Sequence, residues 1–468
     1  MSSLKKNFLY NILYQILIMI LPLITIPYIS RVLGVSGVGI YSYTYSIVNY
    51  FMLIALLGIN NYGNRTIAKS RDNKIELSKS FFGIYYIQLF MSVIMILSYV
   101  LYLLIFNSQY KFVSFLQIIY LFSNMFDINW FFFGNEEFKL TVTRSTILKI
   151  ITLFLIFTFV KDKSQVWLYT LILAASTLLS QLLLFPFLKK RVVRVKLSFS
   201  DIKKHIKPIL ILFIPVVAVS LYKIMDKIML GFLADVIEVG YYEQAEKIIS
   251  VPTGLITALG TVMLPRISNM VSKGEEKEIK KYIKRSIEFM MFLAFPISLG
   301  LISVSSDFVP LFLGDSFNKT IILTQLLSIT VIFMSFGNII RTQFLIPKER
   351  DKDFTISVIG GAIVNIIANY LLIPKLSSVG ACIGTIGAEF FVAAYQIIAV
   401  RKELSIFEYI VNSISFFIKA IIMFGAVILV SKVQINIFVK IILELTIGCT
   451  VYFILNIKYI LDLLKLKK

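Results

Sequence analysis

Apolar positions come in stretches of about 20 residues, closed by charged residues or by Gly and Pro, and they recur along the whole chain. A helix of that length crosses the hydrocarbon core of a bilayer. The pattern predicts spans over 8–29, 38–61, 81–106, 112–133, 142–160, 166–188 and 208–232. Seven more follow, over 244–264, 287–306, 320–340, 354–373, 378–400, 411–431 and 437–457. The expectation is an all-α membrane protein with about 14 transmembrane helices, and an even number places both termini on one side.

Composition sharpens this picture. Of 468 residues, 58% are apolar and only 16% charged, against roughly half and a quarter in soluble domains. Fourteen spans take up roughly 280 to 300 positions, leaving connections too short to fold as separate domains, which excludes a soluble enzyme on an anchor. One histidine, His205, and two cysteines, Cys382 and Cys449, offer neither a His/Cys metal site nor a disulfide framework. The start, MSSLKK, runs into the first apolar stretch with no small-residue cleavage site, so it reads as a retained span.

The net charge of +21 would suggest nucleic acid in a soluble protein, but here each basic residue counts by its side of the membrane. With the termini inside, 34 Lys and Arg fall on inner segments and 7 on outer ones, namely Arg31, Lys111, Lys161, Lys163, Lys319, Lys375 and Lys432. That bias predicts cytoplasmic termini and no nucleic-acid partner. The densest inner runs, KKRVVRVKLSFSDIKKHIK (189–207) and SKGEEKEIKKYIKR (272–285), read first as topology determinants and second as surfaces for acidic lipid.

A repeat is visible at an offset of 201. Val38-Gly39-Ile40-Tyr41 returns as Val239-Gly240-Tyr241-Tyr242, and Arg65 as Arg266. The parse is a six-helix bundle over 1–188, a basic cytoplasmic linker over 189–207, a second six-helix bundle over 208–402, and two additional helices with a tail over 403–468.

The segments SRVLGVSGVGIYSYTYSIVNYF (Ser30 to Phe51), MLGFLADVIEVGYYEQAEKI (Met229 to Ile248), LIPKLSSVGACIGTIGAE (Leu372 to Glu389) and DINWFFFGNEEF (Asp127 to Phe138) resemble the polysaccharide biosynthesis transporters. These are the Wzx-type oligosaccharide flippases of the multidrug/oligosaccharidyl-lipid/polysaccharide exporter superfamily. The resemblance covers nearly the whole chain. It implies two six-helix bundles around a central cavity, and an undecaprenyl-diphosphate-linked oligosaccharide moved from the inner to the outer leaflet.

Charges inside apolar stretches are where chemistry is expected, because each costs about 2.5–3.5 kcal/mol at the centre of an inserted helix. Span seven holds Lys223, Asp226 and Lys227 on one helical face, with Pro215 placed to bend it toward a cavity. Either Asp226 pairs with a lysine and the cluster snorkels, or the lysines hold a diphosphate. Lys247 joins them or pairs with Glu243, four residues earlier. Lys149 lies about 12 Å along span five from Thr141, a cavity candidate or a snorkelling residue. Arg31 caps a helix end or meets the substrate. Lys223, Lys227, Lys247, Lys149 and Arg31 are therefore the diphosphate candidates.

Glu389 follows a ladder of small residues, Gly380, Ala381, Gly384, Gly387 and Ala388. With Asp127 and Asp226 it forms the set of candidates for a coupling proton or Na⁺; Glu444 is a weaker one. No other cofactor is expected. Tyr41, Tyr43, Tyr45, Tyr241 and Tyr242 are weighed as saccharide contacts or as ordinary interfacial residues.

The reading is a flippase, not an enzyme, in the bacterial plasma membrane. It serves capsule or other surface polysaccharide synthesis by alternating access, with lipid-linked oligosaccharide, the bilayer and other polysaccharide-assembly membrane proteins as partners. The alternatives are a drug or metabolite exporter or a peptidoglycan-precursor flippase on the same architecture, and a membrane glycosyltransferase or polymerase, which would be expected to carry its catalytic groups on a larger outer loop. Tags at both termini and within 189–207 should report the cytoplasm, while Val236→Cys and Asp315→Cys should react with impermeant thiol reagents from outside. Labelling of both groups from one side would refute the topology.

Overall fold

Glycine 34 sets how the chain begins. In the computed structural model, which describes residues 3–106 and 109–465, a 54-residue helix α1 (Ser3–Leu56) is interrupted at Gly34, whose φ of 65° and ψ of −177° are non-helical. Only glycine takes such a conformation without strain. The expected spans 8–29 and 38–61 are thus two arms joined at one residue, followed by α2 (Ile59–Ser70) and α3 (Lys74–Ile105). Asn73 caps α3 by accepting from Ile75 N at 3.0 Å and Glu76 N at 3.2 Å. The side chains of Pro215, Lys5, Lys6, Lys465, Lys467 and Lys468 lie outside the described residues, and with them the expected bend at Pro215.

Span 112–133 departs from expectation, being broken into α4 (Lys111–Leu116), α5 (Ile118–Met125) and α6 (Asn129–Gly134). Among hydrocarbon, a broken helix survives only where protein satisfies the released backbone. Gln88, fully buried on α3, does this by donating through Nε2 to Asn124 O and Asp127 O, both at 2.8 Å, while its Oε1 accepts from Trp130 Nε1 at 3.0 Å. Trp130 in turn needs Gly63 beneath it, because a Cβ there would stand 2.4 Å from the indole.

The first half continues with α7 (Phe138–Phe159), α8 (Val166–Leu182), α9 (Phe185–Leu188) and α10 (Phe199–Leu233). Asp162 caps the turn before α8, and the N–H of Ser164, 2.8 Å away, holds its carboxyl below the usual range. His205 on α10 is buried, its Nδ1 2.7 Å from the Tyr62 hydroxyl.

The second half comprises α11 (Val236–Ser272), α12 (Glu276–Leu313), α13 (Lys319–Ser328), α14 (Thr330–Ile340), a π turn over Arg341–Leu345, α15 (Asp351–Leu376), α16 (Ser378–Val400), α17 (Ile406–Ser431), α18 (Ile437–Leu455) and α19 (Ile457–Lys465). The chain divides into two compact units, residues 1–220 and 221–468. That division falls within α10, beyond the basic stretch 189–207. The C-terminal helices α17 and α18 pack on α12 in the second unit.

All regular elements among the described residues are helices, and twelve are long and apolar enough to cross a membrane. The protein is a multi-pass membrane protein. The count falls short of the fourteen expected for two physical reasons. The first two spans merge through Gly34, and 112–133 breaks around Gln88 and Trp130.

Helices α15 and α16 form a tight hairpin, where a Cβ on Gly380 would lie 2.6 Å from the Leu372 backbone. Gly380→Ala should destabilise the protein by about 1–3 kcal/mol. Gly425→Ala, whose Cβ would meet nothing within 4 Å, should be neutral or slightly stabilising. Melting of the two purified variants in detergent checks this, and equal melting temperatures would contradict the packing argument.

Candidate functional site

A polar stripe on α7 faces a cavity of about 910 Å³ inside the first unit. Thr141, Arg144, Ser145, Leu148, Lys149 and Thr152 recur at helical spacing along that wall. Across from them stand Asn60, Asn61 and Asn64 of α2, with Ser180 and Gln181 of α8.

Two of the sequence candidates, Asp127 and Lys149, line this cavity. Asp127 Oδ1 accepts from Asn129 N at 3.0 Å and Asn129 Nδ2 at 2.7 Å. The same Nδ2 donates to Gln181 Oε1 at 2.9 Å, and Asn129 Oδ1 accepts from Arg144 at 3.0 Å. A second Arg144 nitrogen donates to Ser180 O at 2.6 Å. The carboxylate and the guanidinium are thereby joined through one amide, which fixes the positions of both.

Sequence alone does not single out the amides of Asn129 and Gln181, or Arg144, one of the 34 basic residues on inner segments. Its position five residues before Lys149, on a helix with Thr141, Ser145 and Thr152 on the same side, was the available signal.

Arg31 does not line the cavity. It is exposed, ahead of the Gly34 break, with one nitrogen 3.4 Å from Pro27 O in its own helix. Tyr41 and Tyr45 belong to an aromatic cluster. Their rings stack at 5.7 Å, Tyr41 meets Tyr169 edge-on at 4.9 Å, and its hydroxyl lies 3.0 Å from that of Tyr120.

In the second unit the charges of span seven separate. Asp226 is buried and pairs with no lysine among the described residues. Its carboxylate accepts from the Tyr242 hydroxyl at 2.6 Å, Thr385 Oγ1 at 2.8 Å and Asn369 Nδ2 at 2.5 Å. Gly384 makes room for this nest, since a Cβ there would stand 2.2 Å from Asn369 Oδ1. Lys227 instead sits between Glu243 at 3.0 Å and Glu246 at 2.9 Å, and Lys247 reaches Glu243 at 3.1 Å. Two of the diphosphate candidates therefore have their charge matched by carboxylates. Lys223 is exposed. Glu389 is buried on α16, within the fields of Lys223 and Arg341.

The model of the family described as "Polysaccharide biosynthesis protein" matches residues 4–271, more than half of the chain. The chain belongs to the polysaccharide biosynthesis protein family. A second family model, MatE, matches residues 212–371. Among relatives of this polysaccharide biosynthesis protein, a putative O-antigen transporter of Escherichia coli K12 is 23% identical over 405 residues, covering 86% of this chain and 97% of the relative. The lipopolysaccharide biosynthesis protein WzxC of the same organism is 28% identical over 160 residues, 34% of this chain and 30% of that one. A solved structure of the lipid II flippase MurJ, in an inward closed conformation, superposes with a TM-score of 0.77 at 19% identity, over 97% of this chain and 100% of that one. That likeness establishes the fold.

Lys227→Met would leave Glu246 without its cation and Glu243 with Lys247 alone. The expected loss is about 2–4 kcal/mol, less than for a fully buried pair because Glu246 keeps some exposure. Adding Glu246→Gln should recover at least half of it. Thermal unfolding in detergent measures both, and a Lys227→Met protein that melts like wild type would show that the ion pairs carry no stability.

Proposed function

We propose that this protein is a flippase that carries an undecaprenyl-diphosphate-linked oligosaccharide from the inner to the outer leaflet of the bacterial plasma membrane by alternating access, for surface polysaccharide synthesis. The observation that carries this reading is the half-open cavity of about 910 Å³ in the first unit, whose wall mixes apolar side chains with hydroxyls and amides and bears Arg144 and Lys149. Hydroxyls left unmet in hydrocarbon cost a few kcal/mol each, so a glycan needs a path lined with amides and hydroxyls, and a diphosphate needs cations beside it. The cavity supplies both. The printed names of a putative O-antigen transporter among the relatives and of a lipid II flippase among the solved structures agree with a transporter.

In this scheme Lys149 and Arg144 meet the phosphate end, and the asparagines of α2 meet sugar hydroxyls. Lys223 stays a phosphate candidate within the second unit taken by itself, whereas Lys227 and Lys247 act through the carboxylates that hold them. Asp226 is the favoured site for a coupling proton or Na⁺, because its partners are neutral hydroxyls and amides; Asp127 and Glu389 are the other carboxylates in this role. Both termini are placed in the cytoplasm by the positive-inside bias, and other polysaccharide-assembly membrane proteins are the expected partners.

The MurJ likeness favours one second reading, transport of a peptidoglycan precursor. Removing the protein from its host distinguishes them by which lipid-linked intermediate accumulates on the inner leaflet. The flippase reading predicts the polymer repeat unit, and polymer made normally with no accumulation would overturn it. Lys149→Gln should lower transport roughly tenfold at matched protein level, the value of one charge-assisted contact.

A further inference from the structure

Glu444 lies on α18, outside the repeated helices, and its side chain is fully buried; among the described residues no N–H or hydroxyl donor reaches its carboxylate oxygens, and the carboxyl within hydrogen-bond reach is that of Asp307. One turn earlier on the same helix, Lys440 Nζ stands 3.0 Å from both oxygens of Asp307 on α12. Asp307 and Lys440 are the charged groups whose fields reach Glu444. The surroundings are otherwise apolar, with Val304, Val427 and Ile441 forming a buried cluster between α12, α17 and α18. Among the described residues, α17 and α19, the other helices that pack most closely on α18, carry their charges away from this level. Lys419 of α17 is bound to Asn456 Oδ1 at 3.1 Å near the opposite end, and α19 carries Lys458 and Asp462 beyond that end.

With all three groups ionised, Asp307, Lys440 and Glu444 sum to one negative charge, and Lys440 is already bound to Asp307, so the two neighbouring carboxyls can meet only through a proton. An isolated carboxylate in such surroundings is costly enough that the group neutralises instead. We propose that Glu444 binds a proton, and that Asp307, Lys440 and Glu444 form a proton site that seats α18 on α12. A metal ion suits the position less well. Lys440 already engages both oxygens of Asp307, and among the described residues no group of three or more His, Cys, Asp or Glu is placed to hold a metal. The proposal does not depend on what the protein transports.

The sign of the pH effect follows from linkage. A carboxyl that keeps its proton in the folded state at pH values where the unfolded chain has lost it contributes stability that is present at low pH and lost as pH rises through the folded-state titration. The test is infrared spectroscopy and thermal unfolding of the purified full-length protein in lipid nanodiscs between about pH 6 and about pH 9. Wild type should show a protonated-carboxyl C=O band that is missing from Glu444→Gln. Its folded-to-unfolded ratio should fall with rising pH, by up to about tenfold per unit, more steeply than that of the Gln variant. Identical bands in the two proteins at the acid end, or identical pH slopes, would overturn the proposal. Should Glu444→Gln not accumulate, Asp307→Asn serves instead. Removing the neighbouring negative charge while keeping Lys440 should move loss of the wild-type band to lower pH, and an unmoved band would refute the triad.

Discussion

Within hydrocarbon, a polar group has to find its partner inside the protein, and the local architecture of both units follows from that constraint. The broken helix between α5 and α6 is tolerated because Gln88 spends its amide on the carbonyls released there and locks Trp130 with its oxygen. The indole fits only because Gly63 has no side chain. One unsatisfied stretch of backbone thus dictates a glutamine, a tryptophan and a glycine on three different helices.

The same rule governs the charges. Asp226 and Lys227 are adjacent in sequence and opposite in charge, yet they turn to different partners. The acid takes a hydroxyl from α11 and groups from α15 and α16, while the base takes two carboxylates from α11. Carboxylates favour several short neutral donors, whereas an ammonium requires acceptors around a point charge. The result is one carboxylate without a cation and one lysine with two anions. The lysine thereby has its charge already answered within the protein.

In the first unit the constraint works in reverse. Hydroxyl and amide side chains on α2, α7 and α8 gather around open space, with Arg144 and Asp127 held rigid through Asn129. Polar surface that lipid would penalise becomes an asset where water and a polar ligand can enter. A charged pair held through a shared amide is fixed at the wall of that space.

The sequence by itself determined the all-helical membrane class, the position of each apolar stretch, the repeat at an offset of 201 and the short set of intramembrane charges, because helix length and hydrophobicity are local properties of the chain. The tertiary structure decided the rest. It showed that spans 8–29 and 38–61 join through Gly34 and that 112–133 breaks, which depends on a glutamine more than twenty residues away. Helical spacing put Lys223, Asp226 and Lys227 on one face, but which carboxylate or hydroxyl each meets depends on α11, α15 and α16, which lie beside them only in the folded chain. Arg144 reads as an inner-boundary charge in the sequence because its cavity is assembled from α1, α2, α6, α7 and α8, which surround one space only in the folded chain. Periodicity reports which way a side chain points along its own helix, and only packing supplies what it meets there.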